Sequence, residues 1–295
     1  MSVPIILSGP ILRRVEPARV CIWLATSKPA TVKAYVYRLS DLRNTSAAAI
    51  GLGTATTVRL GQMLYVALVI ASPINSNKIN RFPADEILAY DIEIFLDNIN
   101  RGMRLNDLGL LSGERSIAYN QVGISLPTFL LSGNDHTPST ILHGSCRKLH
   151  AEGEDCLAAA DDIIAASVED TSKRPKALFL TGDQIYADDV AMPLIQHITK
   201  FGVELLGWEE QIHGLNKKLT EIGIGERQRV VRDHAKLPLR KQAIICLALV
   251  NLQLCICLLG TLKTGLTQLG KVAACQPITT ATITKQVMMT SIANN

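Results

Sequence analysis

Between residues 19 and 95, β-branched and aromatic residues gather in short runs at 20–24, 32–37, 54–60, 64–71 and 87–95. Turn-forming stretches separate them, among them Ser27-Lys28-Pro29, Gly51-Leu52-Gly53 and Ser72-Pro73. In the second run Val32, Ala34 and Val36 alternate with Lys33, Tyr35 and Tyr37. A period of two is that of a strand with one face in a core and the other toward water. Short strands at this spacing predict an N-terminal β-sandwich of fibronectin or immunoglobulin type over residues 1–132. Such a fold does not by itself set a function, and an accessory role is expected of it.

The pattern changes after the polar stretch Ser132-Gly133-Asn134-Asp135-His136-Thr137-Pro138-Ser139, and residues 133–140 read as a linker. Residues 141–146 then form a short apolar run expected to be a buried strand entering a loop. Leu157, Ile163 and Ile164 carry helical spacing through residues 155–168, and Arg174-Pro175 is expected to end that helix. Ala177-Leu178-Phe179-Leu180 is continuously apolar, as suits a strand covered on both faces. Strand, helix, strand is the start of an α/β layered sheet. Further helices are expected at 190–206 and 208–219. The fold class expected is thus α+β in two domains, a β-sandwich followed by the first part of an α/β sandwich over residues 141–236, with an atypical tail at 237–295.

Composition narrows the function classes. The 295 residues are 47% hydrophobic and 19% charged, with a formal net charge of +4. No Lys/Arg-rich run alternates with aromatic residues, so no nucleic-acid-binding patch is expected. Seven cysteines, an odd count without a Cys-x-x-Cys pair, indicate neither a disulfide framework nor a zinc ribbon. A reducing compartment follows. No charged lead precedes an apolar stretch in residues 1–14, so a secretory signal is not expected and the cytoplasm is the expected location.

The chemistry gathers at two strand ends. Ligands in open α/β sheets collect just outside the carboxyl ends of the strands. Cys146 and Asp183 both fall there, in Gly144-Ser145-Cys146-Arg147-Lys148 and Gly182-Asp183-Gln184-Ile185-Tyr186. Gly182 lets the chain turn sharply, and Tyr186 comes three residues after Asp183, near enough to point back to the same spot. Asp188 and Asp189 suit a helix N-cap and first turn. Arg147 is either a guanidinium for a phosphate oxygen or a surface arginine. Cys156 is expected in a helix core. His143 and His150 flank the first loop and are expected as structural hydrogen-bond partners, while His197, His213 and His234 have no ligand spacing.

These two segments, with Leu7-Ser8-Gly9-Pro10 and Cys21-Ile22-Trp23 in the N-terminal region, resemble the PhoD-like alkaline phosphatase family of metallophosphatases over residues 1–236. The resemblance implies hydrolysis of phosphate monoesters or diesters. It implies Cys146 as a thiolate ligand, Asp183 as a carboxylate bridging two metals and Tyr186 as a phenolate ligand; the catalytic candidates are Asp183 and, should its guanidinium hold the phosphate, Arg147. The metals implied are Fe(III) and Ca(II), a different divalent metal being the alternative. A phenol of pKa about 10 is held as phenolate at neutral pH only by a highly charged cation, which agrees with Fe(III). Calcium would take the oxygen-rich half.

The tail departs from that pattern. The family completes its site with later Asp, Asn and His ligands. Here no Asp or Glu follows Asp233, no His follows His234, and no aromatic residue follows Trp208. Thiols at 246, 255, 257 and 275 do not replace hard oxygen ligands. Residues 243–259 form an apolar stretch slightly short for a membrane span, with Asn251 and Gln253 at its centre. Read one base out of phase through synonymous codons, residues 243–265 return a string similar to the family's next helix. The expectation is a frameshift near Lys236, and an incomplete, inactive phosphoester hydrolase. The alternative is a non-catalytic protein that binds a partner through its sandwich and is anchored by its tail.

Overall fold

The computed structural model describes residues 3–43, 47–74, 80–97, 99, 101–113, 116–120, 123–131, 133, 140–147, 155–184, 186, 192–209 and 217–233. Among them the chain is mostly β. Nine strands form one curled antiparallel sheet: β1 (Ile6–Glu16), β2 (Arg19–Thr26), β3 (Ala30–Arg38), β4 (Gly51–Thr56), β5 (Val58–Arg59), β6 (Tyr65–Pro73), β7 (Ile87–Leu96), β8 (Met103–Arg104) and β9 (Thr128–Leu130). The path runs β1-β2-β6-β4-β3-β7-β8, with β5 also on β6 and β9 also on β7. A short helix, α1 (Leu39–Leu42), follows β3.

The curl is made at a narrow seam. β4 pairs with β6 only through Gly51 with Pro73 and Leu52 with Ser72, then continues along β3. Just past the seam β4 crosses the β6 backbone so closely that a Cβ on Gly53 would stand 2.2 Å from the Ile70 carbonyl oxygen. Glycine at 53 is therefore what allows the sheet to fold over. The alternation read from sequence then delivers the core. Val32, Ala34 and Val36 are fully buried and meet Ile22 of β2, Val69 of β6 and Ile92 of β7 in a single apolar cluster. This arrangement is compatible with a β-sandwich.

One carboxylate is enclosed at the edge of that core. Asp91 on β7 is 5% exposed. Its Oδ1 accepts the backbone N–H groups of Ile92 at 2.8 Å and Leu105 at 3.4 Å, and its Oδ2 pairs with Arg104 at 3.1 Å. Burial pushes its pKa up, and the hydrogen bonds and the Arg104 charge oppose that rise without cancelling it.

The second region supplies a strand–helix–strand unit: β10 (Ile141–Gly144), α2 (Cys156–Ala166) and β11 (Ala177–Leu180). β10 and β11 pair in parallel from Ile141 with Ala177 to Gly144 with Leu180. The unit leans on the sheet through several ties. Tyr119 donates to Asp161 of α2 at 2.8 Å, and the buried Arg174 donates to the carbonyls of Val168 at 2.6 Å and Thr128 at 2.8 Å. Farther on, α3 (Met192–Leu206) places Ile195, Ile198 and Leu205 against Ala25 and Leu64, with Trp23 and Val66 packed alongside. The N–H groups of Gln62 and Met63 both donate to its last carbonyls, at 2.8 Å. A short 3-10 turn at Leu219–Glu221 and α4 (Ile224–Asp233) complete the described chain.

Several expectations need correction. Gly51-Leu52-Gly53 is strand, not turn: Gly53 serves the backbone crossing, and Gly51 leaves room for the Phe82 ring. Ser72-Pro73 closes β6 instead of interrupting it. β1 carried no predicted strand. α2 ends at Ala166, well before Arg174-Pro175, and Ser167 and Val168 already belong to the following turn. β11 is not covered: Leu178 and Phe179 are 45% and 54% exposed. β10 is likewise exposed to half-buried. Cys156 lies exposed at the first position of α2, not in a core. Trp208 and Glu209 are not helical, and α4 was not foreseen. Residues 134–139 of the expected linker, Asp188, Asp189, His150, His213, His234 and the tail from 234 on lie outside the described residues. Among the described residues no helix is long and apolar enough to cross a membrane.

Candidate functional site

Parallel pairing of β10 and β11 brings their carboxyl ends side by side, so the loops that leave them share one location. Two backbone hydrogen bonds lock this arrangement. The N–H of Thr181 donates to the Gly144 carbonyl at 3.0 Å, and the N–H of Arg147 donates to the Asp183 carbonyl at 2.7 Å. His143 Nε2 and Thr181 Oγ1 lie 2.7 Å apart across the two strands. That is the structural partnership expected of His143.

The loops touch with no room between them. A Cβ on Gly182 would stand 2.1 Å from Ser145 Oγ, 2.8 Å from Cys146 Sγ and 2.9 Å from the Cys146 nitrogen. The hydroxyl has freedom to rotate away; the backbone nitrogen has none. Gly182 therefore does more than turn the chain, because its missing side chain is the space that Cys146 occupies.

Cys146 itself has a φ of 55°, in the left-handed region. A non-glycine residue there carries a penalty of about 1–2 kcal/mol, and such residues gather at functional sites. Its thiol is exposed, and three donors converge on it. The Ser145 hydroxyl, 3.4 Å from sulfur, contributes most to holding the thiol pKa below its usual range. The Tyr186 hydroxyl and the backbone N–H of Asp183 add to the effect, while the nearby Asp183 charge works against it. Of the residues named from sequence, Tyr186 thus meets the Cys146 thiol through its hydroxyl and Asp183 through its backbone N–H, with the Asp183 charge near enough to act on the sulfur.

Arg147 is neither a surface arginine nor pointed at solvent. Its side chain is 11% exposed, and its Nε and Nη2 reach both carboxylate oxygens of Asp155 at 3.0, 3.2 and 2.6 Å. Asp155 also caps α2, accepting the Leu157 N–H at 3.2 Å. Sequence reasoning passed over Asp155 as a helix-start residue. Its position before an apolar helix signals a cap, but no spacing rule links it to Arg147.

As a donor set, one thiolate, one phenolate and one carboxylate suit a single strongly Lewis-acidic ion such as Fe(III). They do not suit calcium, which takes six to eight oxygens. Among the described residues no group of three or more His, Cys, Asp or Glu side chains is placed to hold a metal, so the cluster rests on two such residues and the tyrosine. His197 is exposed on α3. No family model matches this chain, and no curated protein matches it.

Proposed function

We propose that Cys146, Asp183 and Tyr186 are the iron-binding half of a phosphoester hydrolase centre of PhoD-like type, carried on an α/β unit behind a fibronectin- or immunoglobulin-like sandwich. In this reading the chain is hydrolytically incompetent, since the oxygen-rich half is lacking among the described residues and no carboxylate follows Asp233. The observation that supports it is the convergence of the Tyr186 hydroxyl and Asp183 on the Cys146 thiol, at the carboxyl ends of two parallel strands.

The roles follow from the chemistry of each group. Cys146 gives a soft anionic donor, already favoured as thiolate by the Ser145 hydroxyl and its other donors. Tyr186 gives a hard donor that only a highly charged cation keeps ionised near neutral pH. Asp183 would give a hard carboxylate donor to the same ion. A bound metal would supply Lewis-acid polarisation of a phosphoryl oxygen. Arg147 contributes its backbone N–H, which fixes the Asp183 loop against the Cys146 loop.

Titration of the metal-free protein with Fe(III) tests this reading. A visible charge-transfer absorption is expected in the wild type, shifted or lost in Y186F and C146S. No such band in the wild type, or one indifferent to Y186F, overturns the assignment. With iron and calcium added, turnover of a generic phosphomonoester is expected at background. Robust turnover that disappears in D183N refutes the incompetence and leaves the hydrolase assignment standing.

A further inference from the structure

We infer that Asp155 is a positioning residue for the Cys146–Asp183–Tyr186 cluster, bracing Arg147 so that the two strand-end loops stay closed on each other; this rests on the metal-centre reading above. The carboxylate is fixed from one side by α2, whose Leu157 N–H it accepts, and it grips the Arg147 guanidinium through two nitrogens from the other. Arg147 in turn donates its own N–H to the Asp183 carbonyl. A continuous line of contacts therefore joins the start of α2 to both ligand loops.

The strained residue explains why a brace is needed. Cys146 directly precedes Arg147 and sits at φ 55°, a conformation that persists only when its surroundings over-determine it. Remove the grip on Arg147, and the chain is free to relax toward the extended region, which swings the thiol away from Tyr186. An exposed ion pair would do little of this. This one is half-buried, bidentate and anchored at a helix cap, with side-chain exposures of 11% and 22%. Burial acts to raise the Asp155 pKa, yet the Arg147 hydrogen bond and charge outweigh it and hold the group below the usual carboxylate range. The brace is therefore charged at neutral pH.

D155N separates the brace from the cap, because asparagine caps helices as well as aspartate but carries no charge for Arg147. Two measurements are made on the full chain: Fe(III) affinity from the charge-transfer band, and hydrogen exchange of the Arg147 amide without metal. Losing an outer partner of a ligand loop typically weakens metal binding by about 10- to 100-fold. That loss is expected in D155N, together with faster exchange at Arg147 and an unchanged far-ultraviolet circular dichroism spectrum. Equal Fe(III) affinity in D155N and wild type overturns the positioning role, as does equal protection of the Arg147 amide. A wild type without any band overturns the metal reading instead, and the exchange measurement then still decides whether Asp155 closes the loops.

Discussion

Substituting Gly53 by alanine places a methyl group where β4 crosses β6. The added Cβ would meet Ile70 O at 2.2 Å, Ile70 C at 2.6 Å and Ala71 Cα at 2.8 Å. All three are backbone atoms, so no rotamer change relieves the clash, and the strands must separate at a seam only two residue pairs wide. Overpacking of this kind costs about 1–3 kcal/mol, and a backbone clash belongs at the upper end. Alanine regains roughly 0.5–1 kcal/mol over glycine within a strand. The net expectation is a loss of about 2 kcal/mol. For a domain of this size that lowers the melting temperature by about 4–8 °C. Urea unfolding followed by tryptophan fluorescence reads it as a lower midpoint at constant slope. Gly223 is the control, since its Cβ would meet nothing nearer than Glu226 Cγ at 3.8 Å. A G53A midpoint at or above that of the wild type, with G223A neutral, would refute the crossing as the reason for glycine.

Two further outcomes follow from features of the fold. Because burial raises the Asp91 pKa in the folded state, the native chain holds that proton more tightly than the unfolded chain, and its contribution to stability falls as pH rises through the raised value. The stability of wild type relative to D91N is therefore expected to be greater at pH 4 than at pH 7; urea midpoints showing no change, or the reverse, remove the claim. Phe179, more than half exposed on β11, is expected to promote association; F179T should leave unfolding within about 0.5 kcal/mol of wild type while lowering concentration-dependent light scattering.

Some of this was legible in the residues and some was not, for identifiable reasons. Alternation at Val32, Ala34 and Val36 is a direct image of a sheet face, and the core kept it. Ser27-Lys28-Pro29 marked a true turn, between β2 and β3. Gly51 and Gly53 misled because glycine signals either a turn or a close approach, and only the third dimension separates the two. β1 escaped notice because Gly9-Pro10 breaks its pattern and several of its residues are only half-buried. The apolar run of β11 implied two covered faces, but cover must come from other segments, about which a local run carries no information. At the site, strand-end position and spacing pointed to Cys146, Asp183 and Tyr186, while their ligand roles came from the family resemblance alone. The grip of Asp155 on Arg147 leaves no such trace, since no local pattern pairs an arginine after a strand with a carboxylate eight residues on.

The helix α3 belongs by sequence to the region after the linker, yet its apolar side rests on the outer surface of β2 and β6. The unit bearing the two strand-end loops is consequently moored fore and aft, by β9 before it and α3 behind it. Scission near residue 133 would strip Trp23, Leu64 and Val66 of their cover, so neither half makes a sound expression fragment, and anyone preparing crystals or isotope-labelled samples should keep residues 1–233 in one piece.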